Sequence, residues 1–241
     1  MRTLATTRRV LTQVSHDHRT IALLLVVPSL LIGLMAWLFD ETAVFEQVGP
    51  AVLGLFPFII MFLVTSIATL RERRSGTLER LLSMPLRRLD FILGYALAFG
   101  VLAVAQAVIA CAFAILVCGL EIDGSVWLLG AVAVADGLLG TTLGLLASAF
   151  ARTEFQVVQF MPALVFPQVI LGGVIIPRDD MPEALHAISD WLPLSHAIDA
   201  LTAVARDSED AAWVGGRLLI LAAFIIGAIC LGAATLRRRT P

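Results

Sequence analysis

The sequence predicts an all-α integral membrane protein with six transmembrane helices, an amphipathic N-terminal helix, a cytoplasmic helix between spans two and three, and short outer helices between spans five and six. Two observations predict the class. Apolar residues make up 59% of the 241 residues and charged residues only 15%, which is too apolar for an ordinary soluble domain. Six apolar runs are also long enough to cross a bilayer core of about 30 Å as helices.

The apolar runs define the predicted spans. They cover approximately residues 21–39, 52–70, 91–120, 126–150, 157–176 and 218–236. The third and fourth runs are longer than a span requires, so we expect these helices to tilt or to extend beyond the membrane. No repeat, low-complexity segment or linker divides the sequence, which predicts a single domain over residues 1–241.

Charge is sorted along the chain in a pattern typical of membrane topology. The sequence has no lysine, and fourteen of its seventeen arginines lie in four short segments. Thirteen of its nineteen acidic residues lie in the three connections that alternate with those segments. Because Lys/Arg-rich loops stay in the cytoplasm, both termini are predicted to be cytoplasmic. The exclusive use of arginine suggests a GC-rich bacterial genome, and hence a bacterial plasma membrane.

The segment before the first span predicts an amphipathic cytoplasmic helix. Its apolar face is expected to carry Leu4, Thr7, Leu11 and Val14. His16 and His18 suggest a metal site at first sight, but residues two apart on a helix do not face each other. No metal ligand is therefore predicted here.

The connection before the last span is expected to contain two short helices at or within the outer leaflet. Helical apolar spacing runs from Met181 to Trp191 and from Leu194 to Ala205. Ser195, His196 and Asp199 resemble a nucleophile set, yet no G-x-S-x-G elbow or other activating motif accompanies them. We expect no catalytic residue in this chain.

The missing lysine also bears on nucleotide chemistry. A P-loop needs the lysine of G-x-x-x-x-G-K-[ST] to reach the nucleotide phosphates. This chain is therefore not expected to hydrolyse ATP through a P-loop, and we predict that it is not an enzyme. No bound cofactor and no nucleic-acid partner are predicted.

The connection between spans two and three carries the most distinctive segment, residues 71–85. Ser75 or Thr77 is suited to cap a short helix, and Pro85 to end it. Its apolar stripe would consist of Leu78, Leu81 and Leu82. Such a charged amphipathic helix has two interpretations: an anchor on lipid headgroups, or a docking element for a cytoplasmic partner.

Two motifs in the sequence resemble those of a known family. The first is E-x3-G-T-x-E-x-L-x2-P, which matches Glu72, Gly76, Thr77, Glu79, Leu82 and Pro85 and is followed by Gly94 in the next span. The second is the stretch P-L-S-H-A-I-D-A-L, which contains Pro193, His196 and Asp199. Together they resemble the type-2 ABC (ABC-2 type) exporter permeases, which include daunorubicin/drug-resistance and nodulation-factor permeases. Family members often carry an arginine directly after the second motif, where this chain has Thr202.

The resemblance implies a role for the first motif. Residues 71–85, with Glu72, Arg73 and the motif residues, would form a coupling helix seated on a separate ABC ATPase subunit that binds ATP and Mg²⁺. Two permease chains, forming a homodimer, would move a hydrophobic or amphipathic compound, such as a drug, an antibiotic or a lipid-like molecule, out of the cell. The alternative is a non-transporting membrane scaffold or sensor that recruits a cytoplasmic partner through the same helix.

Asp136 is the only ionisable residue well inside a predicted span. A central aspartate costs roughly 2.5 to 3.5 kcal/mol on membrane-insertion scales. Gly140 and Gly144 follow it with the spacing that permits close helix approach. Asp136 is therefore interpreted either as a buried hydrogen-bond partner in a tight helix contact, or as a polar point on the transport path or chain–chain interface.

The fifth predicted span combines polar and aromatic residues with prolines. Phe160 and Phe166 are candidates for a gate on the transport path, and Gln159 is a candidate for a pathway or packing role. Pro162 and Pro167 permit bending of the same helix, so a simple kink is the alternative.

Overall fold

The computed structural model describes residues 2–39, 44–74 and 88–235. Within these ranges the chain is helical and contains no strand. Six of its helices are long and apolar enough to cross a membrane, which confirms the predicted fold class. The predicted coupling helix falls mostly on residues 75–87, outside the described residues, and stays a prediction.

The described helices follow one another with short connections. In chain order they are α1 Arg2–Ser15, α2 His18–Leu38, α3 Val44–Arg74, α4 Arg88–Leu116, α5 Val126–Phe150, α6 Glu154–Leu171, a 3₁₀ turn Arg178–Asp180, α7 Glu183–Ser189, α8 Pro193–Ala205 and α9 Ala211–Thr235. The membrane-spanning helices are α2 to α6 and α9. The central pair, α3 and α5, contains the largest share of buried residues, whereas most residues of α2, α6 and α9 are half-buried or exposed.

The spans alternate in direction, so the bundle has two ends. At the α1 end, Val14 clusters with Leu24, Phe91 and Ala233. At the α8 end, Phe45, Leu120 and Val204 form a second cluster. The arginines at the α1 end whose side chains the structure describes are Arg8, Arg9, Arg19, Arg71, Arg73, Arg74 and Arg152. Most described acids lie at the α8 end, so the charge sorting along the sequence becomes a sorting between the two ends.

Helix α4 is shorter than the predicted span, which was expected to reach residue 120. The helix ends at Leu116, and Gly119 follows in a left-handed conformation with φ 73°. The Leu120 N–H donates to the carbonyl oxygen of Ala114 at 3.0 Å and so satisfies one of the last carbonyls of the helix. Leu120 therefore turns back onto α3 beside Gly49.

Other predicted boundaries were displaced for similar local reasons. Helix α6 ends at Leu171 rather than at residue 176, because Gly173 adopts φ 87°. Helix α9 begins at Ala211 rather than at residue 218, since Asp210 Oδ1 accepts a hydrogen bond of 2.8 Å from the Trp213 N–H and so caps the first turn. These ends depend on caps, whereas the predicted spans followed hydropathy alone.

The buried face of α1 is only partly the predicted one. Thr6, Thr7, Val10 and Val14 are buried. Leu4 was expected on this face but is 67% exposed. Thr6 and Thr7 face α4 in place of the expected Leu4, because α4 has a glycine where it contacts α1.

A buried glutamine on α4 bonds a backbone carbonyl of α2 whose usual partner within the helix is missing. Pro28 lacks the N–H that would normally bond the carbonyl of Leu24, four residues earlier. Gln106 on α4 donates its Nε2 to that carbonyl oxygen at 2.8 Å. Backbone groups in lipid need such partners, so Gln106 compensates for the proline.

Candidate functional site

The side chain of Glu72, the first residue of the predicted coupling motif, points towards the protein interior. Its side chain is 6% exposed, and Oε1 accepts a hydrogen bond of 2.6 Å from Arg9 Nη1. Arg9 also donates through Nη2 to Tyr95 Oη at 3.1 Å. Glu72 therefore joins the last turn of α3 to α1 directly, and to α4 through Arg9.

Gly94 of the same motif allows α1 to lie close to α4. A Cβ atom at Gly94 would lie 2.6 Å from Thr6 Cβ, so any side chain would push α1 away. Thr7 Oγ1 donates to the Gly94 carbonyl oxygen at 3.2 Å, and Thr3 Oγ1 donates to Asp90 Oδ1 at 3.1 Å. The sequence motif thus marks a helix contact that holds α1 in place.

The arginines at the end of α3 contact two more helices. Arg71 Nε and Nη2 donate to the two carboxylate oxygens of Glu154 at 2.8 and 3.1 Å. Arg73 Nη1 donates to the carbonyl oxygen of Ser148 on α5. The start of the predicted coupling segment is therefore held by α1, α5 and α6. The remaining motif residues lie outside the described residues, at Gly76, Thr77, Glu79, Leu82 and Pro85.

Asp136 lies in the interior of the chain, on α5 between α3 and α8. It is 0% exposed, and neither carboxylate oxygen has a hydrogen-bond partner among the described residues. A Cβ atom at Gly54 would lie 3.6 Å from Asp136 Oδ2, and Leu201 and Ile198 contact the same glycine. The hydrogen-bond partner expected for Asp136 is thus not found among the described residues.

The glycines after Asp136 produce a close helix contact. A Cβ atom at Gly140 would lie 2.5 Å from the Phe58 carbonyl oxygen, and one at Gly144 would lie 2.5 Å from the Phe62 carbonyl oxygen. Backbone approaches of this kind need small residues. Helices α3 and α5 therefore depend on these two positions for their packing.

The gate and pathway candidates on α6 are not brought together with Asp136. Gln159 is exposed and makes no hydrogen bond to a described residue, and Phe166 is 51% exposed. Phe160 is half-buried and packs on the cluster that contains Leu70 and Val157. Gln159 and Phe166 therefore form part of the outward face of one chain, whereas Asp136 belongs to its interior.

The outer motif is held by an arginine that sequence reasoning did not select. Arg178, from the 3₁₀ turn, is 7% exposed and donates to carboxylate oxygens of Asp190 and Asp199. Its Nε also donates to Ser189 Oγ at 2.7 Å. A buried guanidinium needs such partners. The sequence signal that could have indicated this residue was a single arginine, after two glycines, in an otherwise acidic segment.

A second arginine completes this group from α9. Arg217 Nη1 donates to His196 Nδ1 at 2.6 Å, and Nη2 lies 3.5 Å from Asp199 Oδ2. Its guanidinium lies 4.5 Å from the ring centre of Trp213. His196 Nε2 donates to the Asp190 carbonyl oxygen at 2.9 Å. The permeases that this sequence resembles often carry an arginine directly after the outer motif, where this chain has Thr202. In this chain Arg178 and Arg217 supply positive charge next to Asp199.

The electrostatics of this group follow from its burial. Burial lowers the pKa of His196, and the neighbouring Arg217 and Arg178 lower it further, against the opposing effects of the Asp190 carbonyl and Asp199. Burial raises the pKa of Asp199, against the lowering effect of the two arginines. Both nitrogens of His196 are occupied, so Ser195, His196 and Asp199 do not form a nucleophile arrangement.

Helix α8 is anchored to the spans and is more deeply embedded than a surface helix. Pro193 begins it and is buried, as are Leu194 and Ala197. Gln168 on α6 accepts a hydrogen bond of 3.3 Å through Oε1 from the Leu194 N–H. The predicted short helices are present, but α8 packs between α3, α5 and α9.

Comparison with known proteins identifies the relatives of this chain. A family model described as "ABC-2 type transporter" matches residues 2–205. "ABC transporter G family member 20" of Dictyostelium discoideum is 27% identical over 65% of this chain and 21% of its own length. "Probable multidrug ABC transporter permease YbhR" of Escherichia coli (strain K12) is 30% identical over 63% of this chain and 41% of its own length.

A third relative extends the comparison to another group. "Nodulation protein J" of Rhizobium leguminosarum bv. viciae is 28% identical over 45% of this chain and 41% of its own length. The chain spans less than half the length of each of these three relatives.

Proposed function

This multi-pass membrane protein belongs to the ABC-2 type transporter family, and on that premise we propose that it is the transmembrane permease subunit of an ATP-driven exporter. A separate ABC ATPase would bind and hydrolyse ATP with Mg²⁺. The observation that carries the proposal is the attachment of the segment leading into residues 75–87. Glu72, Arg71 and Arg73 connect it to α1, α6 and α5 respectively.

The attachment suits mechanical coupling. A force on residues 75–87 would act on the end of α3, and the contacts of Glu72, Arg71 and Arg73 would pass it to three other helices. Packed helices change between discrete arrangements rather than deforming continuously. ATP-driven closure of the partner ATPases would therefore shift the spans as a group. We place the ATPase at the α1 end, next to residues 71–85.

A second permease chain is part of the proposal. Helix α6 exposes Gln159 and Phe166 on a face that one chain leaves uncovered. A polar amide is disfavoured against lipid tails, whereas it finds partners at a helix–helix contact or a water-filled path. We propose that a homodimer brings two such faces together, with the substrate passing between them.

The substrate class is proposed from the chemistry of the spans and from the relatives. The spans carry few ionisable groups, and Asp136 is enclosed within one chain. A path formed by apolar and aromatic side chains is suited to a hydrophobic or amphipathic compound. The name "probable multidrug ABC transporter permease" of a relative agrees with a drug-like substrate.

The membrane orientation follows from the positive-inside rule. The described arginines concentrate at the α1 end and most described acids at the α8 end. Arginine-rich ends stay in the cytoplasm, so we place the α1 end and both termini in the cytoplasm of a bacterial cell, with the α8 end outside its plasma membrane.

The proposal is tested by purification of this chain with co-expressed candidate ABC ATPases. We expect a stable complex whose ATP hydrolysis rises several-fold when an amphipathic compound is added. A scaffold or sensor would bind a cytoplasmic partner without substrate-stimulated hydrolysis. Failure of every candidate ATPase to co-purify with the folded chain would contradict the exporter proposal.

A further inference from the structure

The group around His196 is balanced in charge when the imidazole is neutral. Arg178 and Arg217 supply two positive charges, and the carboxylates of Asp190 and Asp199 supply two negative ones. His196 is 4% exposed, so an additional charge there would be poorly solvated. Any proton taken up by His196 therefore disturbs a set of charges that is already matched.

The two hydrogen bonds of His196 define its protonation state. A guanidinium only donates, so His196 Nδ1 accepts from Arg217 at 2.6 Å. A carbonyl oxygen only accepts, so His196 Nε2 carries the proton donated to Asp190 O at 2.9 Å. The neutral Nε2–H tautomer is the form that satisfies both bonds. Protonation of Nδ1 would place two cationic donors in direct opposition.

Groups from several elements surround the His196 imidazole. The charged groups facing His196 are Arg178 from the 3₁₀ turn, Asp199 from α8 itself and Arg217 from α9, and the backbone carbonyl of Asp190 faces it from the end of α7. The Asp190 carboxylate pairs with Arg178. His186 on α7 lies farther out, with Nδ1 3.8 Å from Asp190 Oδ2. Among the described residues of α3, α5 and α6, no charged side chain bonds the imidazole. Arg217 is thus the group on which protonation acts first.

We propose that His196 is a pH-sensitive latch that releases Arg217, and with it the side-chain hydrogen bond between α8 and α9, when the α8 end is acidified. One proton from solvent adds to Nδ1, and the Arg217–His196 hydrogen bond is lost. Arg217 then moves away from the imidazolium, which also changes its position over Trp213. The side chains of Arg217 and Asp199 are 23% and 20% exposed, which gives the proton a route to the ring.

The latch differs from the exporter proposal in what it requires. It needs the α8 end alone and is measured without an ATPase or a substrate. Its failure would leave the exporter proposal intact, and the reverse also holds.

Trp213 provides a local reporter for the latch. Trp37, Trp127 and Trp191 are 77%, 89% and 80% exposed, so all three are replaced by phenylalanine in the full chain. The fluorescence of Trp213 is then followed from pH 8 to pH 4.5 in lipid nanodiscs. We expect a one-proton transition with its midpoint below the ordinary histidine value of about 6.5, because burial and the two arginines lower the pKa of His196.

Two matched variants identify the titrating group. His196→Gln keeps an acceptor for Arg217 and a donor for the Asp190 carbonyl, so the bonds are retained without titration at that position. We expect this variant to lose the transition. His186→Gln removes the outer histidine beside Asp190 and is expected to keep it. An unchanged transition in His196→Gln would overturn the latch, and so would a flat response of the parent chain.

Thermal unfolding gives a second readout that does not depend on fluorescence. Because the folded-state pKa of His196 is lowered, the unfolded chain binds its proton first as pH falls. The contribution of His196 to stability is present above about pH 6.5 and is lost as pH falls towards the lowered pKa. The unfolding midpoint should fall more in the parent than in His196→Gln between pH 7.5 and pH 5. Equal decreases of the unfolding midpoint in the parent and in His196→Gln would contradict the proposal. The comparison is between two pH values for each chain, so it holds even if one chain is less stable.

Discussion

Arg9 and Glu72 form an ion pair with 2.6 Å between Nη1 and Oε1, which joins the amphipathic helix α1 to the end of α3. Their positions are 63 residues apart in the sequence. The pair makes α1 part of the support for the predicted coupling segment. Glu72, which the resemblance assigns to the coupling helix, thus also contacts α1 within this chain.

Glu72→Gln is expected to weaken both the fold and the coupling to an ATPase. The variant removes the carboxylate charge and leaves Arg9 a neutral amide oxygen as acceptor, so it loses part of the about 1.5 to 3 kcal/mol of a hydrogen bond between charged groups, discounted here because Arg9 is 34% exposed. Thermal unfolding and substrate-stimulated ATP hydrolysis measure the two effects.

The matched comparison for this change is Glu154→Gln, which affects the more exposed attachment of the same segment and is expected to lower hydrolysis less. It breaks the Arg71–Glu154 pair, whose side chains are 61% and 46% exposed, and exposed pairs contribute about 0 to 1 kcal/mol. Equal losses of hydrolysis in both variants would contradict the supporting role of Glu72.

Gly140→Ala is expected to destabilise the α3–α5 contact. Its new methyl group would lie 2.5 Å from the Phe58 carbonyl oxygen, and overpacking of this kind typically costs about 1 to 3 kcal/mol. Gly130→Ala in the same helix meets nothing within 4 Å, so it should be neutral or slightly stabilising. Denaturation of the two variants in matched detergent measures the difference. A stable Gly140→Ala variant would show that α3 and α5 tolerate greater separation.

Gln106→Leu is expected to leave the Leu24 carbonyl without a partner, at a cost of about 1 to 3 kcal/mol. Pro28→Ala restores the missing backbone N–H, so the glutamine substitution should cost less in that background. A double-mutant cycle on unfolding free energies measures this coupling. Additive effects of the two changes would contradict the compensation of Pro28 by Gln106.

Asp136→Asn is expected to leave efflux unchanged, because the carboxylate is enclosed between α3, α5 and α8 of one chain. The substitution keeps the side-chain shape and removes the ability to ionise. Efflux of an amphipathic compound from cells measures pathway function, and native gel mobility measures assembly. Loss of efflux with normal assembly would place Asp136 on the transport path instead.

Thiol labelling tests the orientation. In a chain without Cys111, Cys118 and Cys230, we expect Gln47→Cys and Ser208→Cys to react with an impermeant reagent outside intact cells. Ser83→Cys should react only after the membrane is opened. Labelling of the latter in intact cells would overturn the cytoplasmic placement of the α1 end.

The spans and the charge sorting were predictable because hydropathy and arginine position are properties of sequence. Helix ends were less so: Gly119 ends α4 through its left-handed backbone, and Asp210 extends α9 by capping it. The ion pairs around Asp199 at the α8 end were not predicted, for another reason. Arg178, Asp199 and Arg217 are distant in sequence and meet because α8 folds back between the spans. Long-range ion pairs of this kind carry no periodic signal.

The most direct test of the exporter account is ATP-dependent uptake of an amphipathic fluorescent compound by inside-out vesicles that contain this chain and its ATPase. The account predicts uptake that is lost in Gly76→Pro, since proline would break the predicted coupling helix. It also predicts uptake that is retained in Gly227→Ala, where a methyl group meets nothing within 4 Å. Uptake that persists in Gly76→Pro, or ATP hydrolysis without uptake in the parent chain, would contradict the account.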